Sequence, residues 1–129
     1  MTTKMTTDEK IIKFGDKWLM HEWSTGSRPG DDYTKFQQEY RTLLRTIAKD
    51  ANCKLVKFSR NHYWFSVIFQ KVDTGAYIYM NISDVRFWNG EWFTHILYRT
   101  MKNDHDWVGG PNHYCDLQDL AKCLDRIYD

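Results

Sequence analysis

The chain has 129 residues and a formal net charge of +1, with 42% hydrophobic and 16% aromatic residues. This length fits one domain, whose core can bury enough apolar surface to fold without metals or disulfides. No window approaches the ~18 apolar residues of a membrane span, and the first ten residues lack the apolar segment of a secretory signal. We therefore expect a single cytoplasmic domain over residues 1–129, without membrane association and with residues 1–6 disordered.

The cysteines and the charges further restrict the class of protein. Cys53, Cys115 and Cys123 are odd in number and lack C-x-x-C spacing, which argues against a disulfide framework and a zinc ribbon. Residues 35–60 hold seven basic and two acidic side chains, whereas residues 103–129 hold six aspartates and two basic side chains. This distribution predicts a charge dipole, although the small net charge gives no case for bulk attraction to nucleic acid.

Two helices are predicted before the first strand. Asp8 is the expected cap of a helix over 8–22, and residues 24–31 have turn composition. From Asp32 to Ala51, apolar residues recur at spacings of three and four, which predicts an amphipathic helix. Its opposite face carries a basic stripe, which is either a solvated surface or a docking site for phosphates or an acidic protein. The stripe consists of Arg41, Arg45 and Lys49.

The pattern then changes to that of strands. Residues 55–58, 62–72, 76–84 and 91–101 are strand candidates, with hairpin turns at Asp73-Thr74-Gly75 and Asn89-Gly90. Asp116 is the predicted cap of a final helix. The fold class is α+β, with two N-terminal helices, a four-stranded antiparallel β-meander and a C-terminal helix packed on the sheet.

Alternation within 76–84 assigns the two faces of the sheet. Ile78, Met80 and Ile82 are expected in the core, which places Tyr77 and Tyr79 on the opposite face. Exposed rings there suit either a protein partner or stacking on single-stranded bases. The near-neutral net charge favours the protein partner.

Residues 96–113 contain an unusual density of polar and aromatic side chains. Asp104-His105-Asp106 has metal-ligand residue types, but adjacent positions rarely converge on one ion, so we expect a solvated loop and no metal site. Gly109 and Gly110 indicate a tight turn in preference to an anion site. Arg99 is expected to form an ion pair with Asp104 or Asp106 in a structural corner.

No sequence signature indicates catalysis. Cys53 or Cys115 would need a histidine base and an orienting aspartate, and no local motif surrounds either cysteine. The candidates for these two roles are His95, His105 and His113 with Asp104 or Asp106. A lowered pKa is conceivable for Cys115, which precedes a helix cap, but a structural thiol is the preferred interpretation. We expect no enzyme activity and no cofactor.

Three segments carry a resemblance to a known group of proteins. They are Asn-Ile-Ser-Asp-Val-Arg at 81–86, Ile-Leu-Tyr-Arg-Thr at 96–100 and Asp-Trp-Val-Gly-Gly-Pro-Asn at 106–112. In these, and over roughly residues 53–128, the chain resembles small uncharacterised proteins encoded on mobile elements of Gram-positive bacteria, such as plasmids, conjugative elements and phages. The resemblance implies a genetic context in which small proteins often inhibit host defence systems, and it transfers no catalytic residue.

The sequence therefore favours a non-enzymatic protein that binds and inhibits or modulates a protein partner, such as a CRISPR or restriction effector. The alternatives are a single-stranded nucleic-acid-binding module and a small metal-dependent or cysteine hydrolase. The predicted partner contacts are Tyr77, Tyr79, Arg41, Arg45, Lys49, Asp104, His105 and Trp107, and the predicted structural corner is Arg99, Gly109 and Gly110.

Overall fold

A five-stranded antiparallel sheet and three helices form the fold in a computed structural model that describes residues 5–23, 29–87 and 96–128. The helices are α1 (Thr7–Trp18), α2 (Asp31–Asp50) and α3 (Leu120–Arg126). The strands are β1 (Cys53–Asn61), β2 (Trp64–Lys71), β3 (Tyr77–Ile82), β4 (Ile96–Met101) and β5 (His113–Cys115). The predicted α+β class is confirmed.

The first helix begins at a capping box two residues before the predicted cap. Glu9 N donates to Thr6 Oγ1 at 3.1 Å, and Thr6 N donates to Glu9 Oε1 at 3.3 Å. These two bonds satisfy N–H groups that would otherwise lack partners at the helix start. The prediction of Asp8 as the cap was wrong, because that residue lies within the first turn. The helix ends at Trp18, four residues earlier than predicted.

The core lies between the helices and one face of the sheet. The predicted inward residues of β3 are buried, as are the alternate residues of β2. Their partners on α2 include Phe36, Tyr40, Leu44 and Ile47, all fully buried. Tyr40 and Phe65 pack edge to face with ring centroids 4.9 Å apart, which joins α2 to β2 directly. Period-2 and period-3.6 patterns therefore identified the main elements correctly.

The strands follow one another in the order β1-β2-β3-β4-β5, so the sheet has one more strand than predicted. The additional strand pairs Ile96 with Cys115 and Tyr98 with His113. With only three residues, β5 shows no alternation that a sequence pattern can detect. The predicted Asn89-Gly90 turn and residues 91–95 of the predicted fourth strand lie outside the described residues.

Asp116 caps the C-terminal helical segment as predicted, but the α-helix itself begins only at Leu120. The Asp116 carboxylate accepts from Gln118 N at 3.4 Å and caps a 3-10 turn, Leu117–Asp119, which continues into α3. Leu117, Leu120 and Leu124 are fully buried in the core. The helices therefore cover one face of the sheet, and the other face, here called the outer face, is available for other contacts. Within the described ranges, no helix combines the length and apolar character required to cross a membrane.

Candidate partner-binding surface

The loop 102–110 folds back across the outer face of the sheet. The register places Lys57, Ile68, Tyr79 and Arg99 in one row across β1 to β4. Ile68 and Arg99 are only 3% and 5% exposed. At the far end of this row, Lys57 Nζ lies 5.8 Å from the centroid of the Trp107 ring. The loop that follows β4 thus reaches β1 and covers the centre of the outer face. The alternation of residues in β3 had suggested that this face is open.

Asp106 organises this loop from within. Its carboxylate accepts hydrogen bonds from Lys102 N (2.9 Å), Gly109 N (2.9 Å) and Val108 N (3.2 Å). The bonds from the N–H groups of Lys102 and Gly109 hold the pKa of Asp106 below its usual value, with a further contribution from the positive charge of Arg99. The ionised carboxylate closes both ends of the loop at once, because its donors precede and follow it in the chain.

Arg99 supports the loop from below. Its Nη1 donates to the carbonyls of Asp106 (3.2 Å) and Thr100 (3.3 Å), and its guanidinium lies 4.4 Å from the centroid of the Tyr79 ring. The prediction that Arg99 forms an ion pair with Asp104 or Asp106 was wrong. None of the ion pairs among the described residues joins Arg99 to a carboxylate. Backbone carbonyls and an aromatic face stabilise the buried cation instead.

Two glycines complete the predicted corner. Gly109 has a φ of +60°, and a β-carbon there would overlap Arg99 Nη1. A β-carbon at Gly110 would overlap the hydroxyl of Thr100, and Gly110 N donates to Thr100 O at 3.2 Å. The glycines thus permit close approach of the loop to β4. The structure brings Arg99, Gly109 and Gly110 together, as the sequence led us to expect.

The tip of the loop presents two apolar side chains to solvent. Trp107 is 63% exposed and Val108 is 87% exposed. Asp104 and His105 precede them and are also exposed, with His105 Nε2 3.2 Å from the Asp104 carboxylate. We refer to residues 104–108 as the tip. Its backbone is held by the bonds to Asp106 while its side chains remain available for contact.

The predicted tyrosine surface is less open than the sequence suggested. Tyr77 and Tyr79 are half-buried, and the ring of Tyr79 lies against Arg99. The Tyr79 hydroxyl accepts from Asn81 Nδ2 at 3.2 Å. The two rings are therefore only partly exposed, and Arg99 covers one face of Tyr79.

The basic stripe of α2 lies beside β1, which carries three further basic side chains. The Arg41 guanidinium is 5.4 Å from the centroid of the Phe58 ring on β1, while Arg45 and Lys49 are exposed. The two acidic side chains of this region face elsewhere, since Glu39 pairs with Lys17 at 2.8 Å and Asp50 accepts from Thr7. We call the resulting surface the basic edge. It comprises Arg41, Arg45, Lys49, Lys54, Lys57 and Arg60.

The side chains considered for catalysis or metal binding make other contacts in the structure. The Asp106 carboxylate binds backbone N–H groups, and the His113 ring stacks on Tyr98 with centroids 5.3 Å apart. His95 lies outside the described residues. Within the ranges that the structure describes, no group of three histidine, cysteine or acidic side chains is placed to hold a metal ion.

Cys53 and Cys115 have environments that oppose thiolate formation. Burial raises the pKa of Cys115, and the neighbouring Cys123 thiol adds to this effect. Burial likewise raises the pKa of Cys53, against a smaller lowering by Lys71. The raised pKa contradicts the lowered pKa considered for Cys115.

Sequence reasoning missed three side chains of this surface. Lys57 borders Trp107, Val108 is 87% exposed, and Tyr114 is 56% exposed on β5. The exposure of Val108 could have been predicted from the sequence, because Val108 lies between Trp107 and the pair Gly109-Gly110. Tyr114 had none, since the strand that carries it was not predicted.

Comparisons with known proteins add no relative to this description. No protein-family model matches the chain, and no curated protein or solved structure matches it either. The functional interpretation therefore depends on the surface itself.

Proposed function

We propose that this protein is a non-enzymatic binding protein that recognises a protein partner through the tip. The observation that carries the proposal is the exposure of Trp107 (63%) and Val108 (87%) on a loop fixed by Asp106 and Arg99. Tryptophan and arginine are the residues that most often dominate binding energy at protein interfaces. A tryptophan on a fixed loop loses less conformational freedom on binding than one on a mobile loop.

The charges beside the tip indicate the chemistry of the partner. Lys57 links Trp107 to the basic edge, where Arg45, Lys49 and Arg60 are exposed. A complementary surface would carry acidic side chains next to an apolar pocket for the indole ring. Such complementarity accelerates association and selects among partners more than it adds affinity.

The resemblance to mobile-element proteins extends the proposal to a biological role. Inhibition of a host defence nuclease, of the CRISPR or restriction type, requires a stable complex and no chemistry. An acidic surface on such a nuclease would complement the basic edge, because opposite charges attract across an interface.

Affinity capture from a nuclease-treated Gram-positive lysate tests the proposal. Wild-type protein is expected to retain a protein in stoichiometric amount, and Trp107→Ala or Val108→Asp is expected to lose it. Val72→Asp is the matched control, since Val72 is 59% exposed but lies at the end of β2, outside the tip. Equal capture by all four proteins, or capture of nucleic acid alone from an untreated lysate, contradicts the proposal.

A second candidate function is single-stranded nucleic-acid binding along the basic edge. It is favoured by the six basic side chains of the neighbouring elements α2 and β1 and by the Trp107 ring beside Lys57, an arrangement suited to phosphate contact and base stacking. This function predicts oligonucleotide affinity that falls steeply with salt and is reduced in Arg45→Glu/Lys49→Glu. Absent or salt-insensitive binding eliminates it.

A further inference from the structure

The two N-terminal helices enclose a groove on the helical side of the molecule. Contacts at both ends show that α1 and α2 run antiparallel, since Thr7 bonds to Asp50 and Lys17 pairs with Glu39. Between these contacts lies an open groove of about 580 Å³. This volume falls in the range of binding clefts, about 300–1,000 Å³.

The floor of the groove is apolar. Phe14 and Leu43 line it and belong to the core, with exposures of 7% and 6%. Thr42 and Thr46 also line it, and their hydroxyls donate to the carbonyls of Gln38 and Thr42 of the same helix. Because these hydroxyls are satisfied within α2, the threonines contribute mainly their methyl groups to a ligand.

One wall of the groove is cationic. Lys10, Lys13 and Lys17 line it from α1, at spacings of three and four that place them on one side of the helix. Lys17 is neutralised by Glu39, which leaves the positive charges of Lys10 and Lys13. An occupant that combines apolar side chains with carboxylates would satisfy both the floor and this wall.

We propose that the groove binds an acidic amphipathic helix from a partner protein. The seven-residue span from Lys10 to Lys17 is about 10 Å long, which matches two turns of a bound helix. Apolar anchors at positions i, i+4 and i+7 of that helix would contact Phe14 and Leu43, with glutamates facing Lys10 and Lys13. This site is separate from the tip, which lies on the outer face of the sheet, so the protein has two recognition surfaces.

A designed peptide tests the chemistry of the occupant. The probe is a 16-residue helical peptide with leucines at i, i+4 and i+7 flanked by glutamates, and its control carries lysine in place of each glutamate. Fluorescence anisotropy at low salt is expected to show at least tenfold tighter binding of the acidic peptide. The preference should shrink as salt increases, because the lysines are exposed. Equal affinity for both peptides, or no binding of either, overturns the proposal.

Matched variants locate the site. Thr42→Asp places a carboxylate in the groove, whereas Thr34→Asp makes the same change at an exposed position of α2 outside it. A tenfold loss of acidic-peptide affinity is expected for Thr42→Asp and for Lys10→Glu/Lys13→Glu, with none for Thr34→Asp or Trp107→Ala. Circular dichroism confirms that each variant is folded. An equal loss of peptide affinity in Thr42→Asp and Thr34→Asp overturns the proposal. Occupation of the groove by a second copy of the chain also overturns it, and would be seen as dimerisation that Thr42→Asp abolishes.

Discussion

Gly109 lies so close to Arg99 that its α-hydrogen occupies the space where any β-carbon would overlap the guanidinium. The same glycine has a φ of +60°, in the left-handed region that side chains disfavour. Conformation and contact therefore both require glycine at this position. The tip depends on this relationship, because Arg99 supports the loop through the carbonyl of Asp106.

Gly109→Ala is expected to destabilise the protein by about 2–4 kcal/mol, combining the left-handed backbone cost with the loss of the Arg99 hydrogen bonds. Gly75→Ala is the matched control, since Gly75 has a φ of +75° but its nearest neighbour would be Gln70 Nε2 at 3.6 Å. Gly75→Ala should lose only the stability that the left-handed backbone costs a side chain, about 1 kcal/mol. Urea unfolding measures both, and equal losses would show that Arg99 does not constrain residue 109.

Asp106→Asn is expected to lower stability at neutral pH, and its difference from wild type should vanish in acid. The folded-state pKa of Asp106 is depressed, so its carboxylate contributes stability above its ordinary pKa, about 3.9, and loses it as pH falls through the folded value. Urea midpoints between about pH 7 and pH 2.5 test this dependence. The control is Asp104→Asn, whose carboxylate contacts the exposed His105 ring. A pH-independent difference would contradict the role of the charge.

Tyr128→Phe is expected to cost about 0.5–1.5 kcal/mol, the usual contribution of a hydrogen bond. The Tyr128 hydroxyl accepts from Met101 N at 3.3 Å and lies 2.5 Å from the carbonyl of Tyr77. It thereby joins the chain beyond α3 to the start of β3 and the end of β4. Tyr114→Phe, at an exposed tyrosine of β5, should change stability by less than about 0.5 kcal/mol. Thermal unfolding separates the two, and identical midpoints would remove this role for Tyr128.

The thiols of Cys53 and Cys115 are expected to alkylate slowly at pH 8, because burial raises the pKa of both. Mass spectrometry after iodoacetamide treatment should show each reacting at least about tenfold more slowly than in the urea-unfolded chain, since the thiolate is the reactive form. Rapid modification of Cys115 in the folded protein would revive the cysteine-nucleophile hypothesis.

Local patterns predicted the elements whose residues alternate or recur without interruption. Ile78, Met80 and Ile82 were assigned to the core because β3 has a strict period of two. The three residues of β5 were missed, since so short a strand exists only through its pairing with β4. The cap of the first helix was misplaced by two residues because Thr6 and Asp8 are both plausible caps.

The sequence identified residues of the site but not the contacts between them. The sequence located the corner of Arg99, Gly109 and Gly110, yet it assigned a carboxylate partner where Arg99 uses backbone carbonyls. It also treated Tyr79 as open, because nothing in its neighbourhood shows that residues 102–110 return over the sheet. That return depends on contacts between β1 and a loop about fifty residues later, such as Lys57 with Trp107.

The most direct test of the proposed function is photo-crosslinking from position 105, which keeps Trp107 in place. Benzoylphenylalanine in place of His105, an exposed residue of the tip, is compared with the same residue in place of Val72, which is exposed outside the tip, in a nuclease-treated Gram-positive lysate. Recognition through the tip predicts one discrete protein adduct at 105 and none at 72. That adduct should disappear when Val108→Asp is added. No adduct at 105, or the same adducts from both positions, would contradict recognition through the tip.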